Sequence, residues 1–586
     1  MDRKSIIGFV LIFIIILTMP YYFKIISKNP PETTSEKVVE QTPTLNTGET
    51  TPAKLSESNL QSNWQHLNSQ GQQKPDTLTI ENDLYRLKIS SRGGGTITSV
   101  ILKNYNKIIG RDTSLVEMIP SFEAKRLFIK YLKSNGDSAI IDQNFQIVTE
   151  HQATGKNYYR ISDGDSLTIR FQLTSDNNPI ISRTFVFYGD KYFINSFNDL
   201  SGILNEMASD KYELVWEGGI AYTEAMIKED VSYSRASACV GDEIENLDVK
   251  QGKTAMAGLA GATYWTAIKT KYFVVALIPH QPAEGYLLTA SGIPSQGKDF
   301  QKKFNMYMTL SASSEKAVKI YLGPLDYNII KGIAPKIERL MNFGASLIRP
   351  ISIGIFWLFT KMHLLIPNYG WVLIIFSILL KIVLTPLTNS STRSMKEMQN
   401  IQPQLNAIQE KYASDPQRLN NERLKLMREH NVNPMGGCLP LLLQMPILWA
   451  LFIVFRTTIE LRQAPFIFWI TDLSAPDTIF TLPFPIPIYG SQVNVLPFIM
   501  AISQLVQQKI SGASGNQQQK VMTYFMTIFF FFLFNQFPSG LNLYYTLYNI
   551  LSIVQQKYFP PKPKPKKVRK TTSQTLRQYQ TKIRRR

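Results

Sequence analysis

The chain has 586 residues, 44% of them hydrophobic, a formal net charge of +19, two cysteines and five histidines. Twelve of the nineteen charges lie in residues 557–586, which hold no acid, so the basic character is local. Two cysteines exclude a disulfide framework, the scattered histidines offer no metal-ligand spacing, and the absence of Walker A and Rossmann signatures argues against nucleotide hydrolysis by the chain itself.

Apolar runs cluster at the N-terminus and after Gly354 while the middle is polar, the distribution of a membrane protein with a large water-soluble domain. Ser5–Met19 is an apolar run behind Asp2, Arg3 and Lys4, and no small-x-small cleavage site follows it. Residues 1–24 therefore read as an uncleaved transmembrane anchor with its N-terminus inside. Residues 25–76, rich in Pro, Thr, Ser, Gln and Glu, read as a disordered linker.

Residues 77–326 carry short alternating segments: Leu78–Ile80, Tyr85–Ile89, Ser166–Leu173, Ile180–Tyr188 and Tyr272–Ile278. Gly93-Gly94-Gly95 and Asn135-Gly136-Asp137 supply turns. An antiparallel two-sheet sandwich is the natural solution. Its carboxylates are dispersed and no Ser or Cys has an identifiable base, so the domain reads as non-enzymatic.

Residues 327–366 are amphipathic and basic, with Lys331, Lys336, Arg339, Arg349 and Lys361, and read as an interfacial helical region. Residues 367–557 hold five apolar segments, near 369–388, 436–457, 493–510, 521–537 and 541–556. Six spans including the anchor put both termini on one side. The basic tail 558–586 makes that side cytoplasmic and places the β domain outside. The tail's charge suits anionic lipid or RNA phosphates, and equally a topology signal without a partner.

Residues 391–434 read as a cytoplasmic helical hairpin. Met395, Met398, Ile401, Leu405, Ile408 and Tyr412 form one stripe, Asp415 or Ser414 caps the second helix ahead of Pro416, and Leu419, Leu426 and Met427 face back. The hairpin either packs only on itself or offers a Met-rich surface to varied apolar partners.

The spans are unusually polar. Lys381 lies inside the apolar run 369–387, where a cation costs roughly 2.5–3.5 kcal/mol at a helix centre. Ser377 and Thr385, four residues to either side, share its face. In the last span Asn542, Tyr545, Asn549, Ser552 and Gln556 form one stripe. Ser503, Gln504, Gln507 and Gln508, then Thr523 and Thr527, and Gln444 mark the other helices. One or two such residues per helix serve as interhelical hydrogen-bonding glue. A charge plus a continuous stripe suggests a shared hydrophilic groove. With no acid in the spans, the groove suits a transient polar or anionic guest and not a proton-coupled carrier.

Several stretches resemble the bacterial YidC-type membrane protein insertases. Asn433-Pro434-Met435-Gly436-Gly437-Cys438, Pro440 and Gln444-Met445-Pro446 are similar to the family's entry into its third span. Glu460–Phe466, Trp469 and Asp472-Leu473-Ser474-Ala475 resemble its outer loop. Phe537-Pro538-Ser539-Gly540 and Leu543-Tyr544-Tyr545 resemble the start of its last span, and Lys381 with Pro386-Leu387-Thr388 sits where the family carries a groove cation. Weaker similarity runs through Ser91-Arg92-Gly93-Gly94, Trp265–Pro279 and Gly323-Pro324.

The resemblance implies a bacterial inner-membrane protein with a periplasmic β-supersandwich and a five-helix core that moves hydrophobic segments of nascent proteins from the cytoplasm into lipid, without a cofactor. It also implies the Sec translocon and the ribosome (through the tail and cytoplasmic loops) as partners, to which the charge of the tail adds anionic membrane lipids. The substrate groove would comprise Lys381, Ser377, Gln444, Met445, Gln507, Thr523, Asn542, Tyr544, Tyr545 and Asn549, with Tyr544 and Tyr545 where the guest helix slides. The family's cation is typically Arg; Lys381 keeps the charge and loses the planar fork. A solute transporter or channel is the alternative from another class, and a membrane-anchored carbohydrate-binding module a third.

Overall fold

The computed structural model describes residues 74–109, 112–119, 126–149, 157–175, 178–294, 300–312, 317–430, 439–486, 489–510 and 517–559. The anchor 1–24, almost all of the linker 25–76, Cys438 and all but the first two residues of the tail 558–586 lie outside them.

The β domain forms where alternation is cleanest. Phe193–Asp199 alternates half-buried and buried residues along its whole length. The expected segments fall within strands Thr77–Glu81, Tyr85–Ser90, Ser166–Ser175, Asn178–Tyr188 and Phe273–Pro279, the last shifted by one residue. Thr77–Glu81 turns into Tyr85–Ser90 around Asn82, whose side-chain oxygen accepts from the Leu84 and Tyr85 amides at 2.9 and 2.7 Å.

A five-stranded sheet runs Asp112–Ile119, Thr96–Ile109, Tyr85–Ser90, Thr77–Glu81 and Tyr158–Arg160, with the last pairing parallel. Fourteen strands form a second, larger sheet. Leu87 and Ile97 of the first share one apolar core with Phe171, Phe185 and Leu214 of the second, which makes the domain a β-sandwich. The Gly93–Gly95 turn has φ of +67°, +68° and +113°. A Cβ on Gly95 would lie 2.3 Å from the Phe185 ring, so position and conformation both require glycine. Arg183 braces this turn from inside the core. It donates to Asn198 Oδ1 at 2.9 Å and to the Gly93 and Leu127 carbonyls at 2.8 and 3.2 Å.

Besides a single turn at Tyr327–Ile330, the α-helices among the described residues, in chain order, are α1 (Ile227–Tyr233, within the β domain), α2 (Arg349–His363), α3 (Tyr369–Asn400), α4 (Gln402–Lys411), α5 (Pro416–Glu429), α6 (Leu439–Thr457), α7 (Leu496–Ile510), α8 (Gln517–Phe534) and α9 (Ser539–Tyr558). Helix α2 is the amphipathic segment. Ile355, Phe356 and Phe359 are buried, with Phe359 edge-on to Phe376 of α3 and Phe455 of α6. By length and composition, Tyr369–Pro386 in α3 is the one segment among the described residues long and apolar enough to cross a membrane; Gln444–Thr457 and Tyr524–Phe534 are shorter apolar stretches.

Two expectations need correction. The first span falls where expected, but its helix does not stop there: α3 runs unbroken for 32 residues from Tyr369 through Pro386 to Asn400, into the first arm of the expected hairpin, which α4 completes. Proline removes a backbone donor there. The acceptor left without its backbone donor is the Ile382 carbonyl, and the helix runs on past that single loss; the neighbouring Thr385 and Thr388 hydroxyls donate to the Lys381 and Leu384 carbonyls at 2.7 and 3.0 Å. Second, the stretch between α6 and α7 is more than a loop, because Thr478–Ile486 and Gly490–Asn494 pair as a β-hairpin. The turn between α4 and α5 matches expectation. Asp415 caps α5 by accepting from the Arg418 amide at 3.0 Å, and Ile401 and Leu405 are buried against Met398, Leu426 and Met427.

Candidate functional site

The site is set by how α3 and α9 begin. Asn368 caps α3, its side-chain oxygen accepting from the Gly370 and Trp371 amides. Helix α9 begins after Pro538, and its first turn locks onto the outer loop. The Ser539 and Gly540 amides donate to the Ala475 and Leu473 carbonyls at 2.8 and 3.0 Å, and the Ser539 hydroxyl donates to the Asp472 carbonyl at 2.6 Å. A Cβ on Gly540 would sit 2.3 Å from the Phe455 ring of α6. The two segments thus act as one joint, and glycine lets α9 and α6 approach.

Two turns further along α9, the polar stripe meets Lys381. The Lys381 ammonium donates to Ser552 Oγ at 2.7 Å and lies 4.4 Å from the centre of the Tyr548 ring. The residue is 7% exposed. Among the described residues it has no carboxylate within ion-pairing distance, so hydroxyl and aromatic face are what hold it. Ser552 passes its own proton to the Tyr548 carbonyl at 2.7 Å, which leaves its lone pairs for the ammonium. One turn toward the N-terminus, Asn549 donates to Ser503 Oγ of α7 at 3.0 Å; one turn toward the C-terminus, Gln555 donates to Asn389 Oδ1 of α3 at 3.0 Å. The stripe therefore ties three helices together around the cation.

The other expected residues fall into groups. Ser377 is buried on the Lys381 face and donates to its own helix at Leu373 O, 2.7 Å. Gln444 of α6 is buried beside the Tyr544 hydroxyl, and the two polar groups face each other inside the bundle. Gln504 Oε1 of α7 is buried and has no hydrogen-bond partner among the described residues. Tyr544 is fully buried against Phe376 and Tyr548, and Tyr545 is buried against Phe534, so both rings pack inside the bundle. Asn542 lies at the outer end of α9 and donates to the Phe534 carbonyl at 3.2 Å, where it closes the end of α8. Met445 is on an exposed face of α6, Gln507 is half-buried on α7, and the Thr523 side chain lies outside the described residues.

Composition gave no hint of the junction between helices and β domain. Glu229 of α1 binds Lys271 at 2.9 Å and Arg456, in the last turn of α6, at 2.5 Å. Glu224 binds Arg462 at 2.9 Å, and Gln463 donates to the Asn106 carbonyl at 3.0 Å. Burial opposes ionisation of Glu229, but the two cations win and hold its carboxyl below the usual range. Glu460, beside Asp326 and with both carboxylate oxygens buried, is pushed up by burial first and by the Asp326 charge second. Asp477 Oδ2 gathers Trp469 Nε1 and the Val495 and Leu496 amides at 2.9, 3.0 and 2.8 Å, and so fixes the start of α7.

Residues 77–358 match the family model described as the YidC periplasmic domain, and residues 361–566 match that of the 60Kd inner membrane protein. The chain is 36% identical over 575 residues to the membrane protein insertase YidC of Chlorobium phaeovibrioides, covering 95% of each chain. It is 33% identical over 573 residues to that of Chlorobaculum tepidum, covering 95% of this chain and 94% of the relative. A solved structure titled an active YidC insertase with its first transmembrane domain resolved aligns over 83% of this chain and 93% of its own, at 18% identity and a TM-score of 0.35.

Proposed function

The chain belongs to the YidC family of membrane protein insertases, and from that premise we propose that Lys381 and the buried polar side chains around it receive the polar tail of a hydrophobic guest on its way into lipid. The observation that carries this reading is a buried ammonium held by a hydroxyl and a ring and by no described carboxylate. An anionic group on a guest gains more from such a cation than from one already neutralised. Gln504 Oε1, buried without a partner among the described residues, and the buried Gln444–Tyr544 pair are groups a guest backbone or water would hydrogen-bond. Because Tyr544 and Tyr545 are packed inside, a guest reaches them only if α3 or α6 moves away from α9. Partitioning of the guest's apolar surface, at about 25 cal/mol per Å², drives release into the bilayer without nucleotide.

In this reading residues 367–557 form the insertase core, 327–366 an interfacial region, 77–326 the periplasmic domain, and 1–24, 25–76 and 558–586 an anchor, a linker and a cytoplasmic tail. The termini face the cytoplasm of a bacterial inner membrane. The tail and the α4–α5 hairpin meet the ribosome and anionic lipid, and the bundle cooperates with the Sec translocon. Ribosome pelleting at rising salt, with and without residues 560–586, tests the tail.

The deciding experiment is insertion by the purified protein in liposomes of a single-span guest with an acidic outer tail, without nucleotide or Sec components. Protease protection that falls in Lys381→Met and returns in Lys381→Arg supports the reading. Protection equal in all three chains overturns the role of Lys381.

A further inference from the structure

Strand Thr478–Ile486 (TIFTLPFPI) carries no charged residue and exposes both faces. Ile479 is 55% exposed, Phe480 53% and Phe484 61%. A strand in water buries one face, and a two-sided apolar strand there is an aggregation hazard. This strand is nonetheless firmly placed. Its partner Gly490–Asn494 is half-buried and pinned to the end of α8: Asn535 Nδ2 donates to the Tyr489 and Gln492 carbonyls at 2.9 and 2.6 Å, and the Tyr489 ring packs on Phe531 and Phe532. The hairpin lies on the side of the periplasmic domain, where Gln492 reaches the Met226 sulfur at 3.5 Å.

What covers the exposed strand follows from its neighbours. Helix α7 starts two residues after the hairpin and continues the apolar surface with exposed Phe498, Ile499 and Ile502. The adjoining loop adds Phe468, 86% exposed, beside Trp469. Aromatic residues in this position match the belt found at membrane–water interfaces. A further β-strand is a poor occupant. Pro483 and Pro485 lack amide donors and fall in the bulge between Thr481 and Ile486, which blunts the edge.

We propose that the 478–494 hairpin dips its apolar strand into the outer-leaflet interface beside α7, so that lipid covers Ile479, Phe480 and Phe484 and the outer end of α7 is anchored there. The insertase reading is neither needed for this nor tested by it.

The test is collisional electron paramagnetic resonance on the full chain in phosphatidylethanolamine–phosphatidylglycerol bilayers, with a spin label at Phe480→Cys or Phe484→Cys in a Cys239→Ala, Cys438→Ser background. Ile502→Cys on α7 and Lys253→Cys on an exposed turn of the β domain serve as references. Oxygen access exceeding nickel-chelate access at 480 and 484, as at 502, is the expected result. Nickel access like that at 253 places the strand in water and overturns the proposal; shielding from both reagents assigns the surface to a protein partner and also overturns it. Phospholipid carrying a photoreactive group near the headgroup, used on the unsubstituted chain, removes any dependence on the variants folding. Adducts within 478–486 are expected, and adducts on α7 without any on the hairpin refute the assignment.

Discussion

At the scale of single residues, Lys381 is a charge whose partners are weak enough to be exchanged. Ser552→Ala removes a hydrogen bond to a charged group, a loss of about 1.5–3 kcal/mol, while the Tyr548 face remains. Guest insertion should therefore fall less in Ser552→Ala than in Lys381→Met, with both measured by protease protection in liposomes. Glu460 is a second residue with a measurable signature. Its carboxyl is raised by burial and by Asp326, and no cation is among the groups that shift it. The folded state thus binds the proton more tightly than the unfolded chain. Stability must fall as pH rises from the ordinary carboxyl value toward the raised one, and level off beyond it. Glu460→Gln should flatten that slope and raise the midpoint of thermal unfolding at neutral and alkaline pH. An unchanged slope would contradict the burial argument. Lys381 was legible in the sequence because a cation in an apolar run is conspicuous. Glu460 was not, since one acid in a polar loop carries no mark of burial, and Asn542 reads as part of the stripe although it bonds carbonyls at the end of α8.

At the scale of elements, local chemistry was read well and tertiary pairing was not. The α4–α5 turn follows from an N-cap aspartate ahead of proline, and Asp415 takes that place. Asp415→Ala should cost about 1 kcal/mol of local helix stability. Amide exchange should then quicken over the first turn of α5, near Arg418, and stay unchanged in α3. The 478–494 hairpin escaped notice because Pro483 and Pro485 argue against a strand, and because its register is set by Asn535, far along the chain. Helix α3 misled in the opposite direction. Pro386 and the polar residues after it suggest a boundary, whereas the proline removes a single backbone donor and the helix runs on. That continuity makes α3 a lever joining Lys381 to the α4–α5 hairpin.

At the scale of the whole molecule, the question is what fixes the periplasmic domain to the membrane core. Glu229 and Arg456 are 227 residues apart, and Glu224 and Arg462 are 238 apart, so no periodicity could announce these pairs. Both arginines flank the outer end of α6, and both acids border α1 of the β domain. The two substitutions should differ in cost. Glu229→Gln strands Lys271 and Arg456 together and should destabilise by roughly 3 kcal/mol, the low end for a buried pair because Arg456 keeps some solvent access. Arg456→Gln leaves Glu229 with Lys271 and should cost no more than about 1 kcal/mol. The double variant should therefore fall short of the sum of the singles, which thermal unfolding in nanodiscs reads directly. Acid gives an independent handle. Because Glu229 titrates below its ordinary value of 4.5, the clamp contributes fully above that value and is lost as pH falls through the lowered one. Limited proteolysis across this range should release the β domain from the bundle in acid. The Glu229→Gln variant should lack that acid transition and show weakened docking already at neutral pH. Strict additivity of the two substitutions would mean that Glu229 and Arg456 do not act as a pair across the junction.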